Sequence, residues 1–173
     1  MYIQRKVLTE IFAPSIWAKV KELNEIAHNE KLNVHEKKVI EQKLKASINH
    51  DLRMWEEEQP KMVSQGAHTL AANFNVKNET AHDITKIKYS ERHIYGGTTG
   101  KPDLMFDHTT PVNETVEELT KCPSLADVKN VLNKTSQVCI ITRLEDDLLN
   151  KKGFRKKRPG GWKDGYDECG IVI

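Results

Sequence analysis

An acid and a histidine stand side by side in "PDLMFDHTTPV", residues 102–112: Asp107 and His108. A neutral imidazole can accept a proton from water near neutral pH, and carboxylate oxygens suit Mg²⁺ and Mn²⁺. A bound metal offsets charge on a phosphate and its leaving oxygen. The pair therefore has the chemistry to hydrolyse a phosphodiester bond, with Asp107 as metal ligand and His108 as general base. The other interpretation is that both side chains cap the turn that follows.

The element "DHTTPV" resembles the D-H-x-x-P element that opens the HNH, or ββα-metal, nuclease motif. The resemblance implies that Asp107 binds a divalent metal, Mg²⁺ or Mn²⁺, and that His108 activates water. Members of that family also carry a loop asparagine and a second metal-binding histidine further on. No histidine follows His108, and Asn113 is too close to be that asparagine. Asp103 and His93 are the remaining candidates for metal ligands.

A second nuclease pattern, PD-(D/E)xK, is matched by Pro102–Asp103 together with Asp127 and Lys129. Its chemistry needs the second acid and the lysine on one strand, two residues apart, so that both side chains share a face. "SLADVKNVL" is patterned as a helix, which turns residues two apart to nearly opposite sides. The pattern is therefore the weaker of the two.

The segment "KKGFRKKR", residues 151–158, contains six cations in eight residues. Cations make salt-dependent contacts with phosphates, and aromatic rings can stack on unpaired bases. We therefore expect this segment to bind nucleic acid; the other interpretation is a solvated loop. The candidate binding residues are Lys151, Lys152, Arg155, Lys156, Lys157, Arg158 and Trp162.

Composition narrows the class of protein. Hydrophobic residues make up 38% of the 173 residues, charged residues 30%, and 27 basic residues nearly balance 25 acidic ones, for a net charge of +2. The three cysteines form no CxxC pair, which argues against a disulfide framework or a zinc knuckle. No apolar run is long enough for a signal peptide or a membrane span. These features predict a cytoplasmic protein without a membrane partner.

The hydrophobic pattern predicts an α+β fold. About three amphipathic helices are expected before residue 80, one of them capped by Asn33 with Glu36 and another beginning near Pro14. Residues 83–96 alternate roughly and predict one or two strands. "VCIIT" predicts a buried strand, "RLEDDLLNKKG" a helix that ends at Gly153, and "CGIVI" a terminal strand. We expect a helical region, residues 1–80, and a mixed α/β region, residues 81–173, in one compact unit.

Two functional hypotheses follow. The first is a small metal-dependent, HNH-like endonuclease in which Asp107 and His108 act beside the basic segment. The second is a non-enzymatic interaction protein, such as a phage- or defence-associated inhibitor or an immunity-like protein. It would dock on a protein partner through its helical face or through the acidic segments "WEEEQ", residues 55–59, and "LEDD", residues 144–147. The oligomeric state stays open.

Overall fold

A computed structural model describes residues 5–59, 61–96, 103–134, 137–155 and 157–173. The predicted α+β class with N-terminal helices is confirmed. Within the described ranges, no helix is both long enough and apolar enough to cross a membrane. Along the chain the elements are α1 (Arg5–Ala27), α2 (Val34–Glu57), β1 (Met62–Val63), α3 (Gln65–Asn78), two 3₁₀ helices (Ile84–Lys86 and Tyr89–Tyr95), β2 (Leu104–His108), α4 (Val112–Thr120), α5 (Leu125–Lys134), β3 (Val138–Thr142), α6 (Arg143–Lys151) and α7 (Trp162–Cys169).

The chain forms two compact units, one from Met1–Gln59 and Val112–Ser136, the other from Pro60–Pro111 and Gln137–Ile173. The first unit packs α1, α2, α4 and α5 around one apolar core that includes Trp55 and Leu132. The capping box predicted for α2 is confirmed: Asn33 Oδ1 accepts the Glu36 amide at 3.0 Å, and Glu36 Oε2 accepts the Asn33 amide at 2.9 Å. The prediction that the first helix starts near Pro14 is wrong. Pro14 lies inside α1, which begins at Arg5.

The second unit contains a sheet of strand order β1-β3-β2, in which β1 is parallel and β2 antiparallel to β3. The predicted strand "VCIIT" is the central strand, and Asp107 lies opposite Cys139. Successive side chains of a strand point to opposite faces. Leu104 and Ile140 accordingly pack in one apolar cluster, whereas Cys139 and Ile141 pack in another on the other face.

Two predicted strands of the second unit are wrong. Residues 83–96 contain the two 3₁₀ helices instead, and Ile84 and Ile87, three residues apart, are both buried, as the 3₁₀ period of three allows. "CGIVI" is not a strand: Cys169 ends α7, and Gly170 follows in the left-handed region at φ 67°. Of the three residues after it only Ile171 is buried. The predicted end of α6 is close to the observed one, with Gly153 at φ 81° just beyond it.

Candidate functional site

The carboxylate of Asp107 is held by two side chains from the C-terminal part of the chain. Arg158 Nη2 donates to Asp107 Oδ1 at 2.6 Å, and Tyr166 Oη donates to Asp107 Oδ2 at 2.5 Å. We call these three residues the Asp107 cluster. Only 12% of the Asp107 side chain and 3% of the Arg158 side chain are exposed. Both carboxylate oxygens are therefore engaged in a largely buried ion pair.

Arg158 also joins the loop between α6 and α7 to the end of β2. Its Nη1 donates to the carbonyl oxygens of His108 at 2.9 Å and Thr109 at 3.3 Å, and its Nε donates to the Phe154 carbonyl at 3.0 Å. Burial lowers the pKa of Arg158, but the hydrogen bond and the negative charge of Asp107 outweigh it and raise the pKa overall. Arg158 is therefore a permanent cation that fixes the position of the loop.

Tyr166 and Cys139 also lie next to Asp107, Tyr166 through its hydroxyl and Cys139 as the residue opposite on β3. Burial, followed by the negative charge of Asp107, raises the pKa of Tyr166, so its hydroxyl stays protonated and donates to the carboxylate. Burial also raises the pKa of the Cys139 thiol to about 12. A thiol with so high a pKa carries almost no thiolate at neutral pH and is a poor nucleophile. Cys139 therefore acts as a small core residue.

His108 lies on the other face of β2. Asp107 contacts Tyr166, which belongs to the same apolar cluster as Met105 and Cys139. His108 alternates with it and shares the face of Leu104 and Phe106. The two neighbours in the sequence thus direct their side chains to opposite sides of the strand rather than toward one substrate.

The two further predicted metal ligands are also apart from Asp107. Asp103 precedes β2 and lies four residues before Asp107, roughly 13 Å along an extended chain. His93 is exposed on the second 3₁₀ helix. That helix packs Tyr89 edge-to-face on Phe106 at 5.6 Å between ring centroids, which is the face of β2 away from Asp107.

This arrangement does not fit a divalent metal at Asp107. Both carboxylate oxygens already accept hydrogen bonds, and the guanidinium at 2.6 Å supplies the positive charge that a metal would otherwise provide. Across the described residues, no three His, Cys, Asp or Glu side chains come together in a group that could hold a metal ion. The geometry around Asp107 therefore gives no support to the predicted Mg²⁺ or Mn²⁺.

The basic segment divides into exposed and buried members. Lys151 ends α6, Lys152 caps it, and both are exposed, as are Arg155 and Lys157 in the loop that follows. Lys156 lies outside the described residues. Arg158 is buried in the Asp107 cluster. Four of the six predicted cations are thus displayed on the surface, and a fifth has a structural role.

Phe154 in the basic segment and Trp162 just after it pack against an apolar cluster of the second unit. Trp162 begins α7 after Gly161, whose φ of 96° suits glycine. Its ring contacts the Tyr166 ring edge-to-face, with 5.4 Å between centroids, and Phe154 packs against the same apolar cluster. Trp162 therefore helps to fix the loop, and its predicted stacking on bases stays a prediction.

A cavity of about 760 Å³ in the second unit was not predicted from the sequence. Its polar lining includes Gln65, Thr69 and Asn73 from α3, together with Asp103 and Arg143. These three residues of α3 are spaced by four in the sequence, and this spacing indicates a polar helix face. Asp103, singled out as a metal ligand, thus lies in a cavity remote from Asp107.

The residues of the second nuclease pattern have other partners. Asp127 and Lys129 lie on α5, so the helix predicted there is confirmed. Lys129 Nζ forms an ion pair with Glu10 at 2.5 Å, and Asp127 Oδ2 accepts the Ser124 hydroxyl at 2.5 Å. Two residues apart on a helix, they do not share a face.

Comparison of the chain with protein-family models, with curated proteins and with solved structures gave no match.

Proposed function

We propose that this protein binds nucleic acid through the basic segment, which starts at the last residue of α6 and continues into the loop before α7. The observation that carries the proposal is that Lys151, Lys152, Arg155 and Lys157, which are close together in the sequence, are all exposed. No acidic residue occurs among residues 151–163. A dense block of one sign attracts the phosphate backbone even when the whole chain is nearly neutral.

The Asp107 cluster supports this function because it holds the segment in place. Arg158 connects the loop to β2 through Asp107 and two backbone carbonyls, and through the Phe154 carbonyl it also fixes the loop internally. A loop that is ordered before binding loses less conformational entropy when the ligand arrives. Asp107 thus positions the phosphate-binding cations rather than contacting a metal or a phosphate.

Metal-dependent phosphodiester cleavage, predicted from "DHTTPV", stays a prediction. Its test is a cleavage assay on plasmid DNA and bulk RNA with Mg²⁺ or Mn²⁺, with the His108→Ala variant alongside. Cleavage by the wild type that this variant loses would restore the nuclease hypothesis. Binding without cleavage would leave nucleic-acid binding as the activity.

The test of binding is fluorescence anisotropy with labelled 20-nucleotide single strands and 20-base-pair duplexes of DNA and RNA. The variant has Lys151, Lys152, Arg155 and Lys157 all replaced by Gln. We expect it to bind at least about tenfold more weakly, since each lost phosphate contact reduces a salt-dependent affinity.

The matched control replaces four exposed lysines of the first unit, Lys6, Lys21, Lys38 and Lys43, by Gln. It makes the same change in net charge and should bind as the wild type does. Equal loss in both variants, or no salt-sensitive binding by the wild type, would contradict the proposal. The interaction-protein hypothesis would then be the one to pursue.

A further inference from the structure

The cavity of the second unit has the size and the lining of a small-molecule site. Its volume of about 760 Å³ lies within the ~300–1,000 Å³ that such sites occupy. Apolar surface comes from Leu70 and Leu144, and Leu144 is 77% exposed. An exposed leucine at the rim of a cavity offers a contact surface for a planar or apolar group.

One wall is the polar face of α3. Gln65, Thr69 and Asn73 follow one another at steps of four residues and are exposed toward the cavity. Amide side chains offer a donor and an acceptor side by side, which matches the edge of a nucleic-acid base. This wall can therefore recognise a base by paired hydrogen bonds.

Another part of the lining joins an acid and a cation. The Arg143 amide donates to the Asp103 carbonyl oxygen at 2.8 Å, which fixes the two residues beside each other at the cavity. A carboxylate accepts hydrogen bonds from sugar hydroxyls, and a guanidinium matches the oxygens of a phosphate.

The charge at this wall comes from side chains and not from the helix terminus. The N-terminus of α6 is already capped, because Thr142 Oγ1 accepts from the Glu145 amide at 3.2 Å and Glu145 Oε2 accepts from the Thr142 amide at 2.6 Å. Arg143 supplies the positive charge among the described residues that line the cavity.

We propose that this cavity binds one nucleotide, with its base at α3 and Leu144, its sugar at Asp103 and its phosphate at Arg143. Binding of a free nucleoside monophosphate does not depend on the proposed function. Its extension to a nucleotide within a strand rests on the proposed function, since the same nucleic acid would contact both the cavity and the basic segment.

The test is isothermal titration calorimetry with the four ribonucleoside 5′-monophosphates, the matching nucleosides and inorganic phosphate. We expect at least one monophosphate to bind the wild type more tightly than its nucleoside. Arg143→Gln should weaken the monophosphate about tenfold, the effect of one charge-assisted hydrogen bond, and should leave the nucleoside unchanged. Asp103→Asn should weaken both.

Asn73→Ala is a further variant that keeps the fold, since this side chain is exposed and alanine favours a helix. It should weaken monophosphate and nucleoside alike. The variant that lacks the four exposed cations of the basic segment should bind monophosphates as the wild type does, which separates the cavity from the loop.

The outcomes separate this inference from the proposed function. Strand binding without mononucleotide binding up to 10 mM, roughly the limit of a weak site, overturns the assignment of the cavity and leaves the function of the loop. Mononucleotide binding without salt-sensitive strand binding supports the assignment of the cavity and overturns the proposal that the basic segment binds nucleic acid. Binding that the Arg143 and Asp103 variants both retain overturns the assignment of the cavity.

Discussion

Replacing Asp107 by alanine tests whether this carboxylate has a structural role. The substitution leaves the guanidinium of Arg158, 3% exposed, without its counter-charge, and it leaves the Tyr166 hydroxyl without its acceptor. Breaking a buried ion pair from one side costs about 3–5 kcal/mol. Arg158 keeps three backbone carbonyl acceptors, so we expect the lower end, about 3 kcal/mol.

Two further variants separate the charge from the shape. Asp107→Asn keeps an oxygen that can accept from Tyr166 but removes the charge, so the loss should be smaller than for alanine. The double variant Asp107→Ala, Arg158→Met removes both charges and fills the space with an apolar side chain. Its free energy of unfolding should be higher, by about 1 kcal/mol or more, than expected from adding the losses of the single variants Asp107→Ala and Arg158→Met.

The assay is urea unfolding at pH 7, combined with native-state hydrogen exchange of the β3 amides. Exchange reports on the second unit alone, which matters because two compact units need not unfold in one step. A loss below about 1 kcal/mol for Asp107→Ala would refute the structural role. The structural role would also be refuted if Mg²⁺ or Mn²⁺ raised the melting temperature of the wild type but not that of this variant, because Asp107 would then bind a metal.

Asn33→Ala should lower the free energy of unfolding by about 1 kcal/mol, since it removes the cap of α2; urea unfolding measures it, and an unchanged midpoint would contradict the role of the cap. Hydrogen bonds from Lys86 and Thr85 lower the pKa of Asp83 to about 2. Its folded pKa is thus below its unfolded pKa, so it contributes stability above about pH 4 that is lost as the pH falls toward 2. The contribution should be less than about 1 kcal/mol, because 43% of the side chain is exposed. A carboxyl resonance of Asp83 that titrates near its ordinary pKa would contradict this.

Local patterns predicted the elements that local interactions fix. The capping box of Asn33 and Glu36 needs residues three apart, and "VCIIT" is buried on both faces, so each was visible in a short window. The pattern of residues 83–96 does not distinguish strands from 3₁₀ helices, because its apolar spacing is irregular and Ile84 and Ile87 are three residues apart.

The environment of Asp107 could not be predicted from the sequence. Its partners follow 51 and 59 residues later, and only the folded second unit brings them to one carboxylate. The adjacency of Asp107 and His108 suggested a shared site, yet adjacency within a strand separates side chains onto two faces. The exposed lysines were predictable as a charge block, whereas the burial of Arg158 within that block was not.

The measurement that tests the central claim most directly is the slope of log K against log salt for a single-stranded oligonucleotide. Each phosphate contact contributes about 0.7 to that slope, so loss of Lys151, Lys152, Arg155 and Lys157 should reduce its magnitude by about 3. The control with four lysines of the first unit replaced should keep the wild-type slope. The same slope in the wild type and in the variant of the basic segment would contradict the assignment of nucleic-acid binding to that segment.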